Sequence, residues 1–430
     1  MQLQSLVDRF KALSKKPMVQ GTLWMLLARG IRIFIQAAYF VIIARALGAE
    51  QFGAFSGVLA LVSIFTPFSS CGAENVMVMH VARNRSLFGT YWGNTVVMTF
   101  ICGGLLMLLA LVVGHFILPA SISPLVILIL CVSDLICLQL IDASAKAFLS
   151  VDRLAQNARI SIILSTKNLV AAIAFVTLVP NPSVMAWSLL YMVSTAIAAI
   201  QCVWAVHRQI GPARPNARLI PAGIKDGIYF GIGLASQTVY NDIDKTMLAS
   251  LSTLNATGIY AAAYRIITVA RVPVQSITSA AYARFFRHGE KGISGSYAFA
   301  KRLIPFAGGY GAVGSIALIL FAPVVPYVLG DEYKDAVGAI RWLAPLLFFK
   351  SISLFGADAL TGAGFQGIRS ALQVGIAILN TLLNFWLIPA FSWKGASWAT
   401  LISDGLLMVI IWGAVFYYNR RQKRLHTAND

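Results

Sequence analysis

The 430-residue chain is 58% hydrophobic and only 12% charged, with a mean hydropathy of +0.75. A soluble domain carries roughly a quarter charged residues, so a single water-facing globule is excluded and lipid is the expected solvent. The formal net charge of +18 then belongs to loops between apolar runs rather than to a nucleic-acid-binding surface.

In lipid every backbone N–H and C=O must be paired internally, which leaves helices or closed barrels. The apolar runs have the length helices need, about 20 residues. The first nineteen residues are polar and basic, and no cleavable signal peptide is expected. The first set of spans is expected near 22–44, 54–81, 91–118, 122–149, 158–180 and 183–206. The second is expected near 226–251, 257–285, 298–329, 338–361, 367–390 and 395–417. The fold class is therefore all-α and polytopic, with about twelve transmembrane helices. Cys71, Cys102, Cys131, Cys137 and Cys202 all fall inside apolar runs without metal or redox spacing, as small packing residues do.

Loop charges orient the stack. One set of loops carries Arg9, Lys11, Lys15 and Lys16; Arg83 and Arg85; Arg153 and Arg159; Arg208, Arg214, Arg218 and Lys225; and Arg284, Arg287 and Lys291. It continues with Lys301, Arg302, Arg369, Arg420, Arg421, Lys423 and Arg424. The alternate loops are short and hold Arg45, Lys334 and Lys394 among Glu50, Asp331, Glu332 and Asp335. Lys and Arg stay on the cytoplasmic side, so both termini are expected there. Trp24, Trp92, Trp204 and Trp412 toward one face, and Trp187, Trp342, Trp393 and Trp398 toward the other, are expected as interface anchors.

The basic, proline-bearing segment 207–225 divides the chain into halves. A six-helix bundle is expected over 1–206, a cytoplasmic linker over 207–225, a second bundle over 226–418 and a basic cytoplasmic tail over 419–430. The halves echo one another: Gly53-Ala54-Phe55 falls on Gly258-Ile259-Tyr260, and Pro67 near Pro273. Six spans per half give a parallel repeat, with a pseudo-two-fold axis along the membrane normal and a substrate site at the interface.

Ionisable groups inside spans are costly and face a bundle interior or a wet cavity. Arg29, Arg32 and Gln36 share one helical face, as do Gln237, Asn241, Asp244 and Lys245. Arg265 and Arg271 follow, with Thr268 and Gln275 near that stripe. Asp134, Asp142, Lys146, Lys167, Asn168, Lys350, Asp358, Glu74 and Asp404 are also embedded. Salt bridges between helices, Asp242 or Asp244 with a nearby cation for example, would explain some of these. The excess of cations suits a hydrated cavity for an anionic head group, because a guanidinium stays charged and grips phosphate oxygens through two N–H groups.

Enzyme signals are weak. Gly309-x-Gly311-x-x-Gly314 and Gly362-x-Gly364-x-x-Gly367 lack the strand that a dinucleotide site requires, and are expected as helix packing and as a turn. No catalytic residue, metal site or cofactor is expected.

The segment from Trp24 to Asn84, with its ALGAEQFG turn and long second helix, together with the later echo LNATGIYAAAYRI, resembles the bacterial O-antigen and polysaccharide flippases. Their superfamily also holds the lipid II flippases and the multidrug and toxin extrusion antiporters. The two further C-terminal spans usual in lipid II flippases are missing from the expected pattern. The resemblance implies an inner-membrane protein that moves undecaprenyl diphosphate bearing an oligosaccharide repeat unit between leaflets by alternating access. It also implies polymerase and glycosyltransferase machinery as neighbours. On that reading Arg29, Arg32, Lys245, Arg265 and Arg271 are diphosphate candidates. Gln36, Gln237 and Asn241 are sugar candidates, and Asp134, Asp244, Asp358 and Asp404 are coupling-ion candidates. The rival readings are a cation-coupled drug antiporter and a membrane-embedded enzyme; the latter expects a large external loop or clustered acids, which the sequence lacks.

Overall fold

The computed structural model describes residues 17–219, 238–290 and 292–427; the side chains of residues 17–32, 154 and 425–427 lie outside that description. Among the described residues there are helices and turns and no strand. The helices are α1 (Pro17–Phe65), α2 (Ala73–Val81), α3 (Phe88–Ile117), α4 (Pro124–Ser150), α5 (Leu154–Leu178) and α6 (Val184–Gln209). After the linker come α7 (238–251), α8 (Leu254–Ala270), α9 (Val272–Gly289), α10 (Ile293–Phe321) and α11 (Val325–Leu329). The chain ends in α12 (Ala336–Leu343), α13 (Pro345–Gly362) and α14 (Gln366–Thr427).

Eight stretches of the described residues are long and apolar enough to cross a membrane. Two of these each cover two expected spans. Within α1 the chain breaks at Gly48, whose φ of 70° is left-handed, and within α14 at Ser392, φ 54°. The expected spans 226–251 and 257–285 are not among the eight. The first begins outside the described residues, and the second is divided at Arg271, where Pro273 has no N–H to return to Val269. The expected helix 54–81 is likewise interrupted. Pro67 and the left-handed Cys71 and Gly72 open it between Phe65 and Ala73. In α4 the helix loosens into a π-helical turn over Val132–Leu138.

Three of the expected interface tryptophans, Trp92, Trp187 and Trp412, are core residues instead. Trp92 and Trp187 are fully buried, Trp187 among the rings of Phe55, Phe175, Tyr39 and Tyr191. Trp204 and Trp342 are exposed, as anchors should be. The expected packing glycine Gly311 lies against the backbone of Phe348, and Gly364, with φ 85°, turns the chain after α13.

Three apolar cores organise the helices. On the short-loop side one core runs through both halves, joining Ile43, Val58 and Leu61 of α1, Leu130 of α4 and Trp187 of α6 to Tyr260 and Ile267 of α8, and to Leu329 and Ile340. On the basic-loop side the halves have separate cores. Met77, Trp92, Ile141, Phe148 and Val206 form one; Val274, Phe285, Phe355, Leu360 and Ile411 form the other. The described helices are thus joined at one membrane face and parted at the other.

The joint is a glycine seam. In lipid, helices associate through close packing rather than a hydrophobic drive, so small residues set how near they come. Gly53 and Gly258 face each other. A Cβ on Gly53 would run into the carbonyl of Leu254, and one on Gly258 into the carbonyl of Ala49. Beside the seam, Glu332 accepts the Ala49 N–H at 2.9 Å and so caps the helix that restarts after Gly48. The Tyr333 hydroxyl donates to the Ala44 carbonyl at 2.9 Å, and Ser252 and Ser392 hydroxyls meet at 2.7 Å.

Forcing extra carbons into such a packed seam costs about 1–3 kcal/mol. Gly258→Val is therefore expected to part α1 from α8 on the short-loop side. The measure is labelling of Thr268→Cys by an impermeant maleimide added on that side, which should rise severalfold; unchanged labelling would mean that something else closes this face. Glu332→Ala should remove about 1 kcal/mol of capping stability, read as a lower melting temperature of the purified protein in detergent.

Candidate functional site

Directly beneath the seam lies a cavity of about 520 Å³ between the two halves, within the usual range for small-molecule sites. From the first half it is lined by Tyr39, Phe40, Ser56 and Ser63 of α1, Asp134 of α4, Asn168 of α5 and Tyr191 of α6. From the second half come Asn241, Asp242 and Lys245 of α7, Tyr264, Arg265 and Thr268 of α8, and Arg271. Tyr264, Thr268 and Arg271 recur every three to four residues and so form one stripe, with Arg265 at its edge.

The charges in this lining are not equivalent. Lys245 is committed: its ammonium pairs with Asp242, donates to the Asn241 carbonyl at 3.2 Å and sits 4.5 Å from the centre of the Tyr264 ring. On the opposite wall the Tyr191 hydroxyl donates to Asp134 at 3.2 Å, while the Tyr191 ring lies 4.7 Å beneath the Lys167 ammonium. Lys167 in turn donates to Thr195 at 2.7 Å and Asn168 at 2.9 Å. Asp134 stands in the π-helical turn of α4; such turns are frequent at functional sites because they re-aim side chains. Arg265 and Arg271 have no ion pair among the described residues, and the Nε of Arg271 is buried without a hydrogen-bond partner. The cavity therefore offers two guanidinium groups without an ion pair among the described residues, in a lining that also holds Asp134 and Asp242.

A second space lies beside the first. It holds about 330 Å³ and is walled by Ala37 and Val41 of α1, Ile266 and Val269 of α8, and Leu318, Phe321 and Leu329. Phe40 and Arg265 line both spaces. Arg265 thus stands where an apolar slot meets a charged chamber.

The sequence-predicted residues divide as follows. Lys245, Arg265, Arg271, Asn241 and Asp134 line the cavity. The side chains of Arg29 and Arg32, and all of Gln237, lie outside the described residues. Gln36 is half-buried on α1 and does not line the cavity. Asp244, Asp358 and Asp404 do not line it either. Asp244 is buried against the hydroxyl of Tyr260 and the N–H of Lys245. Asp404 pairs with Lys350 at 3.1 Å and accepts from the Tyr240 hydroxyl. Asp358 pairs with Arg369 at 3.3 Å. In the first half, Lys146 bridges Asp142 at 3.0 Å and Glu74 at 3.2 Å. Tyr39, Tyr191 and Tyr264 were not singled out by sequence; their signal is that a phenol inside an apolar span needs a partner for its hydroxyl. Among the described residues no group of His, Cys, Asp or Glu could hold a metal ion.

The fold is shared with solved transporters at low identity. An inward-facing multidrug resistance transporter of the MATE family, in the MOP superfamily, aligns with a TM-score of 0.72 and 14% identity, over 91% of this chain and 96% of that one. The lipid II flippase MurJ in an inward closed conformation aligns with a TM-score of 0.73 and 10% identity, over 91% and 87%. A MOP superfamily transporter from Pyrococcus furiosus, described as having a binding pocket of reverse polarity, aligns with a TM-score of 0.61 and 13% identity, over 93% of both chains. No curated protein sequence matches the chain. The profile of the polysaccharide biosynthesis protein family matches residues 18–288, more than half of the chain, and the chain belongs to that family.

Proposed function

We propose that the protein is a flippase. It carries undecaprenyl diphosphate bearing an oligosaccharide repeat unit from the inner to the outer leaflet of the bacterial cytoplasmic membrane, for O-antigen or exopolysaccharide assembly. The observation that carries this reading is the pair of guanidinium groups without an ion pair among the described residues, Arg265 and Arg271, in a cavity that shares Arg265 with an adjoining apolar slot. A prenyl diphosphate has the matching anatomy: a doubly charged head whose oxygens suit forked N–H donors, and a hydrocarbon tail that prefers apolar walls.

Loop charge places the basic-loop side in the cytoplasm, with the parted cores facing inward and both ends inside. The halves, 1–206 and 226–418 joined by 207–225 and followed by the tail 419–430, act in this proposal as two bundles that rock about the cavity. The similarity to inward conformations of a MATE transporter and of MurJ supports this state. Closing the basic-loop side while parting the glycine seam would deliver the head group outward. An inside-negative potential favours outward movement of an anion by about 2.3 kcal/mol per charge per 100 mV. Asp134 is the acid placed to couple a cation to that movement, since it alone among the four acidic candidates lines the cavity.

Asp134 also favours a second reading, a cation-coupled antiporter of small molecules, in which the acid binds a cationic substrate. The sign of the cavity separates the two. For the flippase, Arg265→Ala and Arg271→Ala should each lower surface polysaccharide about tenfold or more, as the loss of a charge-assisted hydrogen bond of about 1.5–3 kcal/mol implies, with membrane insertion unchanged. Arg271→Lys should recover only part, because it keeps the charge and loses the fork. Full polysaccharide in both alanine variants would sink the flippase assignment. A deletion strain that keeps its polysaccharide and becomes sensitive to cationic drugs would favour the antiporter. Asp134→Asn should slow export severalfold while leaving prenyl diphosphate binding intact, measured on the purified protein.

A further inference from the structure

The polar stripe that passes through the cavity does not stop at Arg271. It continues one turn at a time down α9 as Gln275, Thr278, Ser279 and Tyr282, in phase with Tyr264 and Thr268. Gln275 is bonded directly to the previous turn, its N–H donating to the Arg271 carbonyl at 3.2 Å. These four residues, with Leu354 and Asp358 of α13, line a separate open hollow of about 460 Å³ on the basic-loop side. Five of its six lining residues are polar, in contrast to the apolar slot above.

The chemistry of this lining is that of glycan recognition. The hydroxyls of Thr278 and Ser279 spend their protons on the carbonyls of Val274 and Gln275, at 3.0 and 2.8 Å, which leaves their oxygens free to accept. Asp358 is buried, and while one of its oxygens holds Arg369 at 3.3 Å, the other, Oδ2, has no hydrogen-bond partner. A buried acceptor without a donor is costly, and sugar hydroxyls supply donors in the density this wall lacks. Gln275 adds an amide that both donates and accepts, and the exposed ring of Tyr282 gives the flat apolar face on which a pyranose packs. A metal cation fits less well, because Arg369 already neutralises the one carboxylate and the hollow is far larger than an ion.

We propose that this hollow is the glycan subsite: it holds the first sugars of the lipid-linked substrate while Arg265 and Arg271 hold the diphosphate. The proposal rests on the flippase reading and adds an order to it. Ile266 and Val269 face the tail slot, Arg265 and Arg271 the head, and Gln275 to Tyr282 the sugars. The substrate lies along one helical line, with the tail slot on the short-loop side of the head group and the glycan on the basic-loop side.

The test is photocrosslinking in cells that make their own lipid-linked oligosaccharide, with p-benzoylphenylalanine placed at position 282 or, in a second strain, at position 40. Adducts are identified by mass after digestion. The expected result is a sugar-bearing prenyl diphosphate adduct at both positions. The double variant Gln275→Ala, Ser279→Ala should lower that adduct at position 282 and surface polysaccharide about tenfold, while binding of sugar-free farnesyl diphosphate to the purified protein stays unchanged. Capture of the glycolipid at position 40 with only phospholipid at position 282 overturns the subsite and leaves the flippase reading standing. An undiminished adduct in the double variant also overturns the subsite. So does sodium-dependent thermal stabilisation that Asp358→Asn abolishes, since that marks a cation site. No glycolipid at either position overturns both readings.

Discussion

Everything in this structure hangs on how closely two helices approach at one membrane face. Gly53 of α1 and Gly258 of α8 let two backbones meet where any side chain would collide with a carbonyl. In hydrocarbon no hydrophobic force drives helices together, so contact distance decides whether they associate. Around that contact a single core spans both halves, and on the far side the cores are separate. A molecule joined at one face and parted at the other has a cavity beneath the joint. The site is thus a consequence of the seam rather than an addition to it.

The same geometry explains which charges are paired. Away from the cavity several embedded ions are paired: Lys350 with Asp404, Arg369 with Asp358, Lys146 with Glu74 and Asp142. An isolated ion there would carry the full cost of leaving water. Arg265 and Arg271 escape this requirement because the parted basic-loop side leaves them a polar chamber. The tyrosines bind the two classes together. Tyr264 lies under Lys245 and Tyr191 under Lys167, and each of these rings lines the cavity. The aromatic faces hold the ammonium groups against the wall and leave the guanidinium groups as the available cations.

Hydropathy made the helical class legible in the sequence. The clustering of Lys245, Arg265, Arg271 and Asn241 at one cavity was legible in part, because polar residues at helical spacing share a face whatever the packing; that Gly53 and Gly258, read only as equivalent positions of a repeat, touch one another was not. Partnership was not legible. Nothing local tells Asp404 from Asp134, yet one faces Lys350 on another helix and the other faces the cavity; such pairings join residues up to 72 positions apart in sequence, as in Glu74 and Lys146. Trp92 and Trp187 were misplaced for a related reason. A tryptophan near the end of an apolar run suits both an interface and a helix-packing core, and only the neighbouring rings decide. The breaks at Cys71–Gly72 and Arg271 also escaped hydropathy, which averages across them, although Pro67 and Pro273 mark both places.

The break at Arg271 is where the fold and the chemistry meet. Pro273 removes one backbone hydrogen bond, so the span that would be one helix becomes α8 and α9 with Arg271 at the junction. Above the junction, α8 is held by the seam and belongs to the shared core through Tyr260 and Ile267. Below it, α9 belongs to the separate core of the second half through Val274 and Phe285. A residue at that junction belongs to both regimes. Its guanidinium lines the cavity between them, so the exchange of faces proposed for the flippase would be felt there. A cation that binds the head group at this point would sense the state of both faces at once, which is what an alternating carrier requires of its binding site.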